Sequence, residues 1–126
     1  MRFYKCEHCG NVIHYMTDNG VPVMCCGELM KELIPGTSDG AAEKHVPVVK
    51  KEANKLQVFI GEIAHPMVEN HYIEWILLET VKGMQCVFLQ PGDTPYAEFL
   101  VADGDQPVAA YEYCNLHGLW KAEITA

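Results

Sequence analysis

Two pairs of cysteines, Cys6-x-x-Cys9 and the adjacent Cys25-Cys26, fall within the first 26 residues of a 126-residue chain. No other feature limits the fold so strongly. The segment that carries them alternates short apolar pieces with turn formers: Cys9-Gly10-Asn11, Asp18-Asn19-Gly20 and Cys26-Gly27. Val12-Ile13 and Val21-Pro22-Val23-Met24 read as short strands on either side of a hairpin at Asn19-Gly20. A unit of under about 40 residues seldom folds on core burial alone and needs a metal or disulfides. Two disulfides are disfavoured, because adjacent cysteines do not bridge each other without backbone strain. A metal is the better staple. Four thiolates make a tetrahedral cage that suits zinc or iron, and adjacent ligands should open one S–metal–S angle. The sulfurs alone do not choose between the two metals.

The chain carries 9 Lys+Arg against 17 Asp+Glu, a formal charge of -8. Nucleic acid and anionic membrane surfaces need a basic footprint and are poor partners for it. No apolar run reaches the roughly 18 residues of a spanning helix. Met1-Arg2-Phe3-Tyr4-Lys5 leads straight into Cys6 with no apolar leader, so a cytoplasmic, reducing location is expected. With 49% hydrophobic residues the composition is that of an ordinary folded protein.

Residues 36–42, Gly-Thr-Ser-Asp-Gly-Ala-Ala, read as a linker. Domain boundaries at 1–36 and 37–126 follow. Beyond the linker come short β-rich runs: Val46–Val49, Leu56–Glu62, Tyr72–Val81, Met84–Leu89, Tyr96–Val101, Val108–Tyr113 and Leu119–Ile124. Leu56/Val58/Ile60 and Ile73/Trp75/Leu77 show the two-residue period of half-buried strands. Lys82-Gly83, Pro91-Gly92-Asp93 and Asp103-Gly104-Asp105 supply the turns. The expected class is all-β, a small metal-stapled module followed by an antiparallel sandwich of immunoglobulin-like size.

The remaining chemistry is in the histidines. His45 follows Glu43-Lys44 at the start of a strand. His65 and His71 bracket the turn Pro66–Asn70, and Cys114-Asn115-Leu116-His117 has ligand spacing within a short loop. One thiolate and four imidazoles exceed what zinc takes and suit iron. A lone histidine is more often a surface or core residue than a ligand, and spacing alone does not join these into one site. His8 and His14 read as exposed, Cys86 as a small buried apolar residue. Trp75, Tyr111, Tyr113 and Trp120 read as core or interface aromatics.

At these residues the sequence resembles desulfoferrodoxin, the two-iron form of superoxide reductase. Tyr4-Lys5-Cys6-x-x-Cys9-Gly10-Asn11 and Cys25-Cys26-Gly27 are similar to its desulforedoxin-like module. Glu43-Lys44-His45-Val46-Pro47-Val48, His65-Pro66-Met67, His71 and Cys114-Asn115-Leu116-His117-Gly118-x-Trp120-Lys121 are similar to its catalytic domain. The resemblance spans nearly the whole chain in the family's order.

The resemblance implies two irons per chain. Cys6, Cys9, Cys25 and Cys26 would hold one; His45, His65, His71 and His117 would be equatorial ligands of the other, with Cys114 axial. It implies one-electron reduction of superoxide to hydrogen peroxide, a rubredoxin-like electron donor, and a homodimer. Five ligands leave one octahedral position for a small substrate, and backbone N–H groups of the Asn115–His117 loop would tune the Cys114 sulfur. A chain of charge -8 repels superoxide at long range, so a cation beside the site is required. Lys44 is the candidate, and it would also organise the water that delivers protons. Glu43 would, by resemblance, bind the oxidised iron and leave on reduction. Without the resemblance, Lys44 and Glu43 read as solvated surface residues. Two other readings compete: an electron carrier using the four-thiolate iron alone, and a zinc-stapled binding module without catalysis.

Overall fold

The structure, a computed structural model, describes residues 1–38 and 40–125. The chain divides into two compact units, Met1–Ile34 and Pro35–Ala126.

In the first unit, β1 (Phe3–Lys5) lies between β2 (Val12–His14) and β5 (Lys31–Leu33), both antiparallel to it. Phe3 is the buried side chain of this sheet, with the His14 ring 5.9 Å away. His14 is therefore half-buried rather than exposed, and the exposed one of the pair is His8. The expected hairpin about Asn19-Gly20 does not form. Val12-Ile13 pairs with β1 instead, and of Val21–Met24 only Met24 enters a strand. Pro22 has no N–H to give a ladder, and the Asp18 side chain accepts the Gly20 amide at 2.8 Å to make a local turn. The hairpin that does form joins β3 (Met24–Cys25) to β4 (Glu28–Leu29) through Cys26 and Gly27. Both central residues have positive φ, 53° and 79°, as the tightest hairpin turn requires.

The second unit is two antiparallel sheets over one core. The first has the order β10 (Tyr96–Leu100), β7 (Lys55–Ile60), β6 (Pro47–Glu52). The second has the order β12 (Gly118–Glu123), β11 (Pro107–Cys114), β8 (Ile73–Thr80), β9 (Met84–Phe88). Leu56, Val58 and Ile60 on β7 and Ala97 and Phe99 on β10 meet Ile76, Leu78, Ala110 and Cys114 from the facing sheet. The period-two expectation holds on β7, where all three residues are fully buried.

On β8 it does not hold. Cys114 pairs with Ile73 but Tyr113 pairs with Trp75, so Glu74 is an extra residue that bulges the strand. The bulge reverses the parity: Ile73 joins Ile76 and Leu78 in the core, while Trp75 faces outward and stacks on Tyr113 at 5.7 Å. On the edge strand β9, Cys86 is exposed, not buried, because it shares the outward face with exposed Met84 and Phe88. Tyr111, Tyr113 and Trp120 are buried as expected.

Of the expected linker 36–42, Asp39 lies outside the described residues, and Ala42 opens the single turn of helix α1 (Ala42–His45). His45 thus ends a helical turn rather than beginning a strand. Among the described residues no helix is long and apolar enough to cross a membrane.

Candidate metal centres

The first unit gathers Cys6, Cys9, Cys25 and Cys26, whose sulfurs all lie within 4.8 Å of one another. Two local folds do this. After β1 the chain doubles back, the Cys6 amide donating to the Asn11 carbonyl and the Gly10 amide to the Cys6 carbonyl. The second fold is the β3–β4 turn, where positive φ at Cys26 places consecutive cysteines on one cluster without a spacer. All four cysteines are free thiols, with Cys9 and Cys25 sulfurs 3.7 Å apart. The Cys9 amide, donating to sulfur, lowers the Cys6 thiol to about 6. Cys25 and Cys26 shift the other way: hydrogen bonding to Cys6 and then Cys9 raises both, the Cys26 thiol to about 12. Four sulfurs this close ionise together only around a cation.

The second unit gathers His45, His65, His71, Cys114 and His117 at one end of its two sheets, with one donor atom each inside the same 4.8 Å limit. The imidazoles form a closed ring. His45 to His65, His65 to His71, His71 to His117 and His117 to His45 have centroid separations of 4.6, 4.7, 5.0 and 4.9 Å, every pair edge-on. Cys114 Sγ lies 3.8 Å from His117 Nδ1.

Tautomers follow from the partners. His45 Nδ1 is 2.9 Å from the Ala41 carbonyl and His65 Nδ1 is 2.6 Å from the Pro66 carbonyl. A carbonyl only accepts, so both Nδ1 atoms carry the hydrogen, and in the neutral ring both Nε2 atoms are bare. Yet the two Nε2 atoms are 3.1 Å apart. Opposed lone pairs at that distance repel unless a proton or a metal ion lies between them. Protonation is disfavoured, because burial pulls the His45 and His65 rings down, His65 to about 4. His71 Nε2 is buried with no hydrogen-bond partner among the described residues, and burial, then the charges of His117 and Lys44, lower it too. A metal ion satisfies all of these atoms at once. Four nitrogens and one sulfur exceed zinc's usual four ligands and match the donor set of a five-coordinate iron.

The loops that carry these ligands are pinned to one another. Asn115 accepts the Tyr72 amide at 3.0 Å and donates to the Asn70 carbonyl at 3.1 Å, tying the His117 loop to the His71 loop. The His117 carbonyl takes the Trp120 indole N–H at 3.0 Å and the Ser38 hydroxyl. Burial raises the Cys114 thiol, and the amides of His117 and Leu116 oppose that by donating to its sulfur. Glu43 and Lys44 are exposed on α1, and Glu43 lies outside the five-donor cluster.

Sequence reasoning missed the part played by two side chains. Asn115 had no signal beyond its place between Cys114 and His117. Glu112 is 0% exposed, two residues before Cys114 on β11, and its carboxylate oxygens have no hydrogen-bond partner among the described residues. Burial holds its carboxyl far above the usual range, which disfavours the charged form. A glutamate in a Tyr-Glu-Tyr strand carries no mark of this.

A family model, Desulfoferrodoxin, matches residues 37–123. The chain belongs to the desulfoferrodoxin family. Desulfoferrodoxin from Nitratidesulfovibrio vulgaris is 54% identical over 121 residues, covering 95% of this chain and 94% of that one. Superoxide reductase from Pyrococcus horikoshii is 34% identical, covering 76% of this chain and 97% of that one. The crystal structure of superoxide reductase from Treponema pallidum superposes with a TM-score of 0.80 at 36% identity, covering 96% of this chain and 97% of that one. The Treponema pallidum protein thus shares the fold of this chain over nearly its whole length.

Proposed function

We propose that this chain is a superoxide reductase with two irons. The observation that carries the reading is the closed ring of four imidazoles with the Cys114 sulfur beside it, two bare nitrogens facing at 3.1 Å. His45, His65 and His71 would bind through Nε2, His117 through Nδ1, and Cys114 through its thiolate. Cys6, Cys9, Cys25 and Cys26 would hold the accessory iron. The iron these residues would hold would supply one electron, so that superoxide and two protons give hydrogen peroxide with no dioxygen released.

The protein's part is to shape that site. Carbonyl acceptors at Ala41 and Pro66 fix two ligand tautomers and orient the rings. Amides of Leu116 and His117 withdraw charge from the Cys114 sulfur and so set its donor strength. Lys44 is the cation that draws an anionic substrate to a chain of charge -8. Its charge already acts on the rings of His45 and His71. Water held by its ammonium is the proton source. Glu43, on the same exposed turn, would be a further carboxylate ligand to the oxidised iron. A rubredoxin-like protein donates the electrons in the cytoplasm, and the active form is a homodimer.

Protein purified anaerobically from its native source tests the whole reading. Two irons per chain, negligible zinc, and superoxide consumed with one peroxide per superoxide are expected. One zinc and no iron, or evolution of dioxygen, overturns it.

A further inference from the structure

Helix α1, which presents Glu43, Lys44 and His45, is one turn long and has no side-chain N-cap. A turn that short does not hold itself together, so its position is set by what it rests on. It rests on the backbone of residues 61–64. The Gly61 amide donates to the Val46 carbonyl at 3.3 Å, the Ile63 amide to the Glu43 carbonyl at 3.0 Å, and the His65 amide to the Ile60 carbonyl at 3.3 Å.

The fit allows no side chain at Gly61. Its φ is +82°, and a Cβ there would lie 2.5 Å from the Ile63 carbonyl oxygen and 2.7 Å from both Cα and the carbonyl carbon of Lys44. These are backbone atoms, which cannot swing aside as the end of a side chain can. At Gly10, Gly20, Gly27, Gly83 and Gly92, by contrast, a Cβ would meet nothing within 4 Å.

We infer that Gly61 is a positioning residue for the reaction. Its bare Cα lets the 61–64 turn seat on the Lys44 backbone, and that seating sets where the Lys44 ammonium stands at the mouth of the five-ligand site. The inference rests on the reading of Lys44 as the capturing cation. Adding a methyl group at Gly61 forces the Lys44 backbone and the 61–64 turn apart, so α1 loses its seat while every ligand side chain is still present. Electrostatic capture depends on where the charge is held, and it is the part of the reaction that salt screens.

The test compares wild type, Lys44→Ala, Gly61→Ala and the double variant, all iron-loaded. Two quantities are read: the second-order rate of superoxide consumption across ionic strength, and the hydrogen exchange of the Ile63 amide. Lys44→Ala is expected to slow capture at low salt by about tenfold and flatten the salt dependence, within the range of steering effects. Gly61→Ala is expected to flatten it as well, to speed Ile63 exchange, and to add little to Lys44→Ala in the double variant. Where Gly61→Ala does not fold or load iron, Ile63→Pro carries the test on the salt dependence of capture alone, since it removes the amide that donates to the Glu43 carbonyl. A salt dependence lost in Lys44→Ala but kept in the turn variants overturns the role of Gly61 and leaves that of Lys44 standing. A salt dependence kept in Lys44→Ala overturns the steering reading, and this inference with it.

Discussion

At the scale of single residues, burial decides what each titrating group does. His65 is held near 4 against an ordinary 6.5, chiefly because burial penalises the charged ring. A histidine whose folded pKa is depressed contributes stability above its unfolded value and loses it as pH falls toward the folded one. Protons also compete with metal for the same nitrogens. Stability and bound iron are therefore expected to fall together between about pH 6.5 and pH 4, read by thermal unfolding alongside iron release. Glu112 runs in the opposite sense. Its carboxyl is raised, so the folded state holds the proton more tightly and loses stability as pH climbs above the unfolded value of about 4.3. Glu112→Gln keeps a neutral side chain of the same shape. Its melting temperature relative to wild type should rise from pH 5 to pH 8; a difference constant with pH would show that the buried carboxyl does not govern stability there.

At the scale of elements, the site is built from strand ends and the loops that join them. Cys114 closes β11 and Gly118 opens β12, so the register Cys114↔Gly118 holds His117 in a short loop above its own sulfur ligand. The Trp120 indole on β12 then reaches back to the His117 carbonyl at 3.0 Å. Trp120→Phe removes that one donor while keeping most of the apolar ring. It is expected to cost about 1 kcal/mol in denaturant unfolding and to weaken iron retention about tenfold, as loss of a ligand's supporting contacts does. A variant that keeps wild-type iron affinity would show that Ser38 alone suffices to hold the loop. The bulge at Glu74 belongs to this scale as well. It turns Ile73 into the core two residues after His71, and alternation in Ile73-Glu74-Trp75 carries no trace of it. An extra residue in a strand follows from pairing with a neighbour, here the end of β11, and a strand read by itself cannot reveal it.

At the scale of the whole molecule, two units of unequal self-sufficiency share one chain. Met1–Ile34 has one buried aromatic side chain, Phe3, while Pro35–Ala126 has a core drawn from both of its sheets. Chelation is therefore expected to unfold the first unit and leave the second folded. Amide spectra should show collapse of the resonances of Phe3–Lys5 and Lys31–Leu33 while those of Leu56–Ile60 persist. Spectra in which both regions collapse together would mean that the sandwich also depends on its metal.

The sequence by itself determined the four-cysteine cluster, because close cysteine pairs in so short a segment leave the chain no other staple. It also determined the alternating β7, whose period needs no partner to be read. The five-ligand site was legible only as a resemblance: its residues span positions 45 to 117, and nothing in their spacing requires them to meet. Tertiary structure made that decision. Antiparallel pairing of β6 with β7 brings His45 to the β7–β8 loop, where its bare nitrogen faces that of His65, and pairing of β11 with β8 and β12 brings Cys114 and His117 to the same place. The exposure of Cys86, the burial of Glu112 and the need for glycine at position 61 were decided in the same way. Each depends on what a distant segment places against it, and that is a property of packing, not of the local sequence.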